Sequence, residues 1–455
     1  MNNKDEQQRE IGTAPLGPLL LKFCLPAIIA MTATSLYNLA DSIFIGQGVG
    51  SLGLAGLTVC FPLMNLSAAF GAMVGIGAGS VIAIKLGQRE LEVAEHTLGN
   101  VVLLNVIIGT LFAVVALLFL DPILRFFGAS DAILPYGREY MTTLLYGNVL
   151  THLYFGLNDT VRSSGYPRRA MMATLSAVCI NVLFDYILIV RLGFGIRGAA
   201  VATLLAQSVG FIVVISHLSR SSSVIHFRRD IFRWRTKIAR GIISIGCAPF
   251  FTNVCACLVV LLINRGLVDY GGDSYIAAYG IVNRVAFIFV MITNGINQGM
   301  QPISGYNYGA GNVERCVGVF KYAAVAGTVV MSVCFIVAEV FPRQTILWFT
   351  SDELLIDIAE HAMRISLLMA AFGGFHIVSI GFMMSLGQAM KATFLSLSRQ
   401  LLFLVPLLLC LPPFFGADGV WFSMPIADAA ADVAAVILVI SQIRKLRDRK
   451  NVQLP

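Results

Sequence analysis

The chain has 455 residues, of which 57% are hydrophobic and only 13% are charged, and its formal net charge is +7 at neutral pH. Its mean hydropathy of +0.80 is far above that of soluble proteins. The composition therefore excludes an ordinary soluble domain. Apolar runs that recur to the end of the chain predict an all-α polytopic membrane protein.

We predict twelve transmembrane helices, because twelve mostly apolar segments reach the length of about 20 residues that crosses a bilayer. They lie near 16–46, 53–84, 94–120, 136–160, 168–191, 198–219, 238–268, 275–305, 315–341, 358–385, 392–413 and 418–444. Basic residues are concentrated in alternate loops and in the C-terminal tail. By the positive-inside rule both termini are cytoplasmic, in the plasma membrane (the inner membrane of a bacterium).

An internal repeat divides the chain into two halves. Four residue pairs share nearly one offset: Pro26 and Pro249 (249 − 26 = 223), Gly87 and Gly309 (222), Gly165 and Gly387 (222), and Gly198 and Gly419 (221). Because six helices separate the copies, both have the same orientation in the membrane, which predicts two parallel six-helix repeats.

The repeat sets the expected domain boundaries. These are an N-terminal tail (1–15), an N-terminal lobe (16–219), an interlobe linker (220–237), a C-terminal lobe (238–444) and a C-terminal tail (445–455). Aromatic residues among the arginines of the linker predict a helix that lies at the cytoplasmic interface.

Two carboxylates lie in predicted membrane helices of the first half. Asp41 follows Tyr37 by four residues in helix one, and Asp185 follows Asn181 by four residues in helix five. Thr203 lies near the start of helix six. A charged group inside a bilayer costs at least about 2.5 kcal/mol, so such residues point to function. The pattern predicts a site for H⁺ or Na⁺, although a purely structural pair of acids stays open.

Helix one also contains Pro26, which predicts a kink and a hinge. In the second half, four amides lie on one face of helix eight: Asn294, Asn297, Gln298 and Gln301. We expect this face and Met291 to line a substrate cavity, while hydrogen bonding between helices is the alternative for the amides.

Two opposite charges are expected at one depth in the second half. Arg284 lies about nine residues into helix eight, and Asp428 about ten residues into helix twelve, so both are roughly 13–15 Å deep. The counting predicts a charge pair between them. If they are not paired, Asp428 becomes a candidate for a second ion site with Asp432.

The twelve-helix repeat and two motifs resemble the multidrug and toxic compound extrusion (MATE) family. The motifs are the opening LPAIIAMTATSLYNLADSIFIG and QPxxGYNxGA, from Gln301 to Ala310. The resemblance covers the chain from Pro15 to about Arg444. It implies the fold of that family, with two six-helix lobes around a central cleft.

The resemblance also implies roles for individual residues. In the DinF-like branch, helices one, five and six supply a cation site in the N-terminal lobe, which matches Tyr37, Asp41, Asn181, Asp185 and Thr203; Pro26 matches a proline whose bend accompanies changes at that site. The chain departs from the NorM-like branch at Cys257 and Phe375, where that branch carries acids. It departs from a MepA-like subgroup at Gln298, where an acid is expected.

These features predict a secondary antiporter, not an enzyme, that exports small amphipathic and often cationic compounds in exchange for H⁺ or Na⁺. We expect it to be monomeric, to work within the lipid bilayer, and to need no cofactor and no nucleic acid. A lipid-linked precursor flippase is the first alternative, and it predicts a strongly basic cavity. A membrane-embedded enzyme and a channel are further alternatives; the sequence shows no clustered nucleophile or metal set for the enzyme.

Overall fold

The computed structural model describes residues 3–452, and this range consists of helices joined by turns and short irregular segments, with no strand. The first half contains α1 (Asn3–Thr13), α2 (Leu16–Gly48), α3 (Ser51–Gly87), α4 (Leu91–Leu118), α5 (Leu120–Phe126), α6 (Leu134–Tyr146), α7 (Asn148–Ser163), α8 (Pro167–Asp185) with a π-helical continuation (Tyr186–Arg191), and α9 (Gly195–Leu218). This architecture confirms the all-α prediction.

The second half repeats the order of long helices. It contains α10 (Thr236–Gly271), α11 (Asp273–Gly309), α12 (Val313–Val340), α13 (Pro342–Ile346), α14 (Glu353–Ser366), α15 (Ala370–Ser385), α16 (Ala389–Leu397), a second π-helical segment (Ser398–Leu404), α17 (Val405–Cys410), α18 (Pro412–Phe415) and α19 (Ala417–Val452).

The predicted spans correspond to this set. Among the described residues, ten helices are long and apolar enough to cross a membrane, and α14 with α15, bent by 53°, make an eleventh span. The remaining predicted span, near 136–160, is formed by α6 and α7, which meet at Gly147. Because this segment contains polar residues and a break, neither of its helices is long and apolar enough to count as a span on its own. The twelve-helix arrangement is the one that the sequence predicts.

The chain forms two compact units, and it changes from one to the other inside α2 and inside α10. One unit contains Met1–Ala14 and Ile29–Phe250, and the other contains Pro15–Ile28 and Phe251–Pro455. The two changes lie at equivalent positions of the repeat, because 250 − 28 = 222. Each follows a proline, Pro26 in α2 and Pro249 in α10.

Glycines of α11 allow the first part of α2, which belongs to the second unit up to Ile28, to pack closely against α11. A Cβ atom on Gly299 would lie 2.7 Å from Cys24 Cα, and one on Gly295 would lie 2.7 Å from Ile28 Cα. The Cys24 thiol donates to the Ile296 carbonyl at 3.4 Å. Small residues four apart let two membrane helices approach in this way.

An equivalent contact joins α10 to α3 in the first unit. A Cβ atom on Gly246 would lie 2.6 Å from the Met73 carbonyl carbon, and one on Gly77 would lie 3.1 Å from the Ile242 carbonyl carbon. The two contacts are related by the repeat offset, since Met73 and Gly77 precede Gly295 and Gly299 by 222 residues. Backbone-to-backbone packing of this kind leaves no room for larger side chains.

The linker differs from its prediction. Between α9 and α10 the structure has only a short 3₁₀ turn, Arg229–Ile231, and no interfacial helix. Asn100 of α4 binds the linker instead: its amide donates to the Arg233 carbonyl at 3.3 Å, and its oxygen accepts from the Arg235 backbone N–H at 3.1 Å. Because Asn100 takes up these backbone groups and Ile231 is buried against Gly99, the linker is fixed in a non-helical form.

Candidate cation site

Asp41 and Asp185 come together in the core of the first unit. Asp41 lies on α2 and is 6% exposed, and Asp185 ends α8 and is fully buried. The two carboxylates are close enough to interact electrostatically. Asp185 is also the last residue before the π-helical segment, a distortion that is frequent at functional sites. Two like charges in one buried place favour the uptake of a cation.

Asn181 and Thr203 lie beside these acids, as the sequence predicts. The Asn181 amide nitrogen and the Thr203 hydroxyl are 3.5 Å apart, and the Thr203 hydroxyl donates to the Ala199 carbonyl at 3.1 Å. Asn181 is 2% exposed and Thr203 is 7% exposed. The contact joins α8 to α9 and sets the positions of two further oxygen atoms at the site.

Several oxygens of this group have no hydrogen-bond donor within the described residues. They are Asp41 Oδ1, both carboxylate oxygens of Asp185, and Asn181 Oδ1. Buried acceptors without a donor are costly, so a native structure normally satisfies them. A proton on a carboxylate, or a hard cation with oxygen ligands, satisfies such a group. These oxygen atoms could therefore bind either H⁺ or Na⁺.

Two tyrosines complete the surroundings of the acids. Tyr37 lies one helical turn before Asp41 on α2, as its spacing predicts. Tyr140 of α6 is fully buried, its hydroxyl has no partner within the described chain, and it interacts electrostatically with Asp41 and Asp185. Sequence reasoning missed Tyr140, because nothing in the pattern of α6 separates it from a core tyrosine.

A cleft with about 350 Å³ of empty space borders the site within the first unit. Its lining is mostly apolar and aromatic and contains no charged residue: Thr34, Tyr37, Tyr154, Phe155, Thr174, Ala177, Val178, Asn181, Thr203, Ala206 and Gln207. Tyr154 and Phe155 have ring centroids 5.0 Å apart. The cleft shares Tyr37, Asn181 and Thr203 with the group around the acids. A ligand in this cleft would therefore contact the residues that surround Asp41 and Asp185.

The predicted amide face lies on α11 in the second unit. Met291 and all four amides, Asn294, Asn297, Gln298 and Gln301, are half-buried. Asn297 lies against Gly381 of α15, where a Cβ atom would meet its amide group. Its Oδ1 is buried without a donor in the described range. Asn297 thus packs between α11 and α15, while the substrate cavity and the hydrogen bonding between helices both stay predictions for these amides.

The predicted pair of Arg284 and Asp428 is wrong. Asp428 Oδ1 accepts from Arg399 Nε at 2.6 Å, whereas Arg284 lies exposed on α11. Arg399 belongs to the second π-helical segment, which packs against α19. Counting residues along a helix gives depth in the membrane, but it does not give the direction in which a side chain points. The depth estimate therefore could not identify Arg399 as the partner of Asp428.

Comparisons with known proteins agree with this architecture. A family model described as MatE matches residues 26–187 and 249–409. Multidrug export protein MepA of Staphylococcus haemolyticus (strain JCSC1435) is 26% identical over 449 residues, which cover 99% of this chain and 98% of that protein. The solved structure of the MATE multidrug transporter DinF-BH is 32% identical, with a TM-score of 0.87 over 94% of this chain and 96% of that one. A MATE structure in the bent conformation has a TM-score of 0.92 at 23% identity, covers 99% of both chains and has the same fold.

Proposed function

The chain belongs to the MatE family, whose multidrug transporters are secondary transporters and not enzymes, and we propose that it exports amphipathic, often cationic organic compounds in exchange for H⁺ or Na⁺. It is a multi-pass plasma-membrane protein, and its relatives support multidrug export. The observation that carries the ion-coupled form of this proposal is the pair of buried acids, Asp41 and Asp185, with oxygens that lack donors.

The physical basis of coupling is competition for charge and space at one place. When both acids are ionised, the region attracts a cation, and the aromatic cleft beside it suits a flat organic cation. When a proton or Na⁺ neutralises one charge, this attraction falls. Exchange then follows if the small ion and the organic compound each favour a different state of the protein. Binding of the ion would change the bend of α2 at Pro26 and release the compound.

The lipid-linked flippase is the main rival, and it requires a basic cavity for an anionic headgroup. The cleft beside Asp41 and Asp185 has no basic residue in its lining. This favours a neutral or cationic cargo over an anionic one. We also propose that the protein works as a monomer with both termini in the cytoplasm, since basic residues of the linker and the C-terminal tail fall on one side of the predicted spans.

Transport in vesicles tests the proposal. Purified protein is reconstituted into liposomes, and a pH gradient or a Na⁺ gradient is imposed separately while movement of a fluorescent organic cation is recorded. We expect at least one gradient to drive the cation in the direction opposite to the ion. Equal movement with and without both gradients would contradict an ion-coupled antiporter. The Asp131→Asn variant removes an exposed carboxylate outside the spans and serves as the control.

A further inference from the structure

A second group of buried titratable side chains lies in the other unit, where α15, α19 and the π-helical segment Ser398–Leu404 meet. His376 of α15 is 4% exposed. Its Nδ1 lies 3.8 Å from Asp432 Oδ1 on α19. Arg399 and Asp428 form their 2.6 Å contact in the same group, and both act electrostatically on His376. The proposed transport reaction uses none of these side chains.

The surroundings of the His376 ring supply hydrogen-bond acceptors. Besides Asp432 Oδ1, the backbones of Leu395 and Ala431 lie near the ring and favour its protonated form. Neither ring nitrogen makes a well-formed hydrogen bond within the described chain, and Asp432 Oδ2 is also buried there without a partner. A neutral imidazole has one N–H donor, whereas an imidazolium has two. The acceptors around this ring therefore match the protonated form better than the neutral one.

The net charge of the four side chains also favours a proton on His376. Arg399 offsets Asp428, with which it makes the ion pair, and Asp432 and Tyr279 of α11 are the other titratable groups that act on Arg399. With Asp428 and Asp432 both ionised and His376 neutral, the group carries one excess negative charge. A proton on His376 cancels this charge and places an N–H donor toward Asp432. A hard cation such as Na⁺ suits the group poorly, because it prefers oxygen ligands to imidazole nitrogen.

We propose that His376 and Asp432 bind one exchangeable proton, which makes a second proton site in the half of the chain that does not contain Asp41 and Asp185. The proton sits on His376 when Asp432 is ionised, and it leaves as pH rises. The site does not depend on the proposed export function. It adds a second titrating group to any exchange that the first site performs.

Histidine NMR on the purified full-length protein tests this proposal. The protein is labelled with ¹⁵N at its histidines, the His376→Gln variant assigns the signal, and spectra are recorded between about pH 5 and 9. We expect the His376 signal to change from imidazolium to imidazole within this range. In Asp432→Asn we expect it to remain that of neutral imidazole throughout. A signal that does not change in the wild type, or that changes identically in Asp432→Asn, would overturn the proposal.

Three controls keep the result specific. Asp418→Asn removes a carboxylate 2.9 Å from His361, so it should alter the His361 signal and leave that of His376 unchanged. Asp432→Glu retains a carboxylate and should retain the titration, which covers the case in which Asp432→Asn does not fold. Asp41→Asn should leave the His376 titration intact, so a failure of the transport proposal is distinguishable. Loss of the His376 proton on adding Na⁺ at constant pH would contradict a site for H⁺.

Discussion

Arg399 donates through Nε to Asp428 Oδ1 at 2.6 Å, and this contact ties the π-helical segment Ser398–Leu404 to α19. The Asp428 side chain is 13% exposed and that of Arg399 is 45% exposed. The pair therefore lies between a surface salt bridge and a fully buried one. Loss of one partner would leave a poorly solvated charge on the other.

This relationship predicts a coupled effect on stability. Arg399→Ala and Asp428→Ala should each lower the free energy of unfolding by about 2 kcal/mol, and the double variant should lose less than the sum. Thermal unfolding in detergent measures the three losses. Arg284→Ala is the matched control and should change stability by less than about 0.5 kcal/mol, because Arg284 is exposed and does not bind Asp428. Simple additivity of the Arg399 and Asp428 losses would show that the pair contributes nothing.

The close contact of α2 with α11 predicts a steric effect at Gly299. In Gly299→Ala the new Cβ would meet the Cys24 backbone, which cannot move aside as a side chain can. We expect a loss of about 1–3 kcal/mol in the free energy of unfolding. Gly280→Ala on the same helix is the control, because nothing lies within 4 Å of a Cβ there. Equal stability of the two variants would contradict the close packing of this segment.

The proline of α2 is proposed as a hinge, and Pro26→Ala tests that role. Alanine restores a backbone donor and a straight helix, so the change of bend becomes harder. Turnover of the organic cation should fall, while its dissociation constant should stay within about twofold of the wild-type value. Exchange rates in vesicles and equilibrium binding in detergent measure the two quantities. Unchanged turnover with unchanged binding would count against the hinge.

The contact between Asn100 of α4 and the linker predicts an effect on stability. Asn100→Ala removes both side-chain contacts with the linker and leaves the Arg235 N–H without its acceptor. The expected cost is about 1–3 kcal/mol. Limited proteolysis within the linker should become faster in this variant. Asn100→Asp keeps an acceptor for the Arg235 N–H and should be cut at an intermediate rate; equal rates for all three proteins would contradict the contact.

Periodicity and charge patterns predicted much of the fold, because membrane spans need long apolar runs and each repeat preserves its glycine and proline positions. The four-residue spacing of Asp41 from Tyr37 and of Asp185 from Asn181, inside predicted membrane helices, identified the two acids that the structure brings together. The predictions from sequence failed mainly where they depended on the direction of a side chain. Arg399 could not be chosen over Arg284 without knowing that the backbone forms a π-helix near Arg399, and the linker could not be placed without knowing that Asn100 binds its backbone.

The π-helical segments explain why simple helical counting fails at both sites. Each lengthens one helical turn, so residues beyond it rotate relative to the α-helical spacing. One begins directly after Asp185 and the other contains Arg399. No residue type announces these segments in the sequence. The geometry of both groups of charges thus depends on backbone features that only the folded chain shows.

Asp41 and Asp185 are proposed to couple export to the movement of a small cation, and this coupling can be measured as ion movement that the organic cation drives. Liposomes containing the protein enclose indicators of pH and of Na⁺, and an outward gradient of the organic cation is applied with no ion gradient. We expect inward movement of H⁺ or Na⁺ in the wild type and in Asp131→Asn. We expect none in folded Asp41→Asn or Asp185→Asn. Ion movement at the wild-type rate in both site variants, at equal protein content, would show that the two acids do not couple export to the ion.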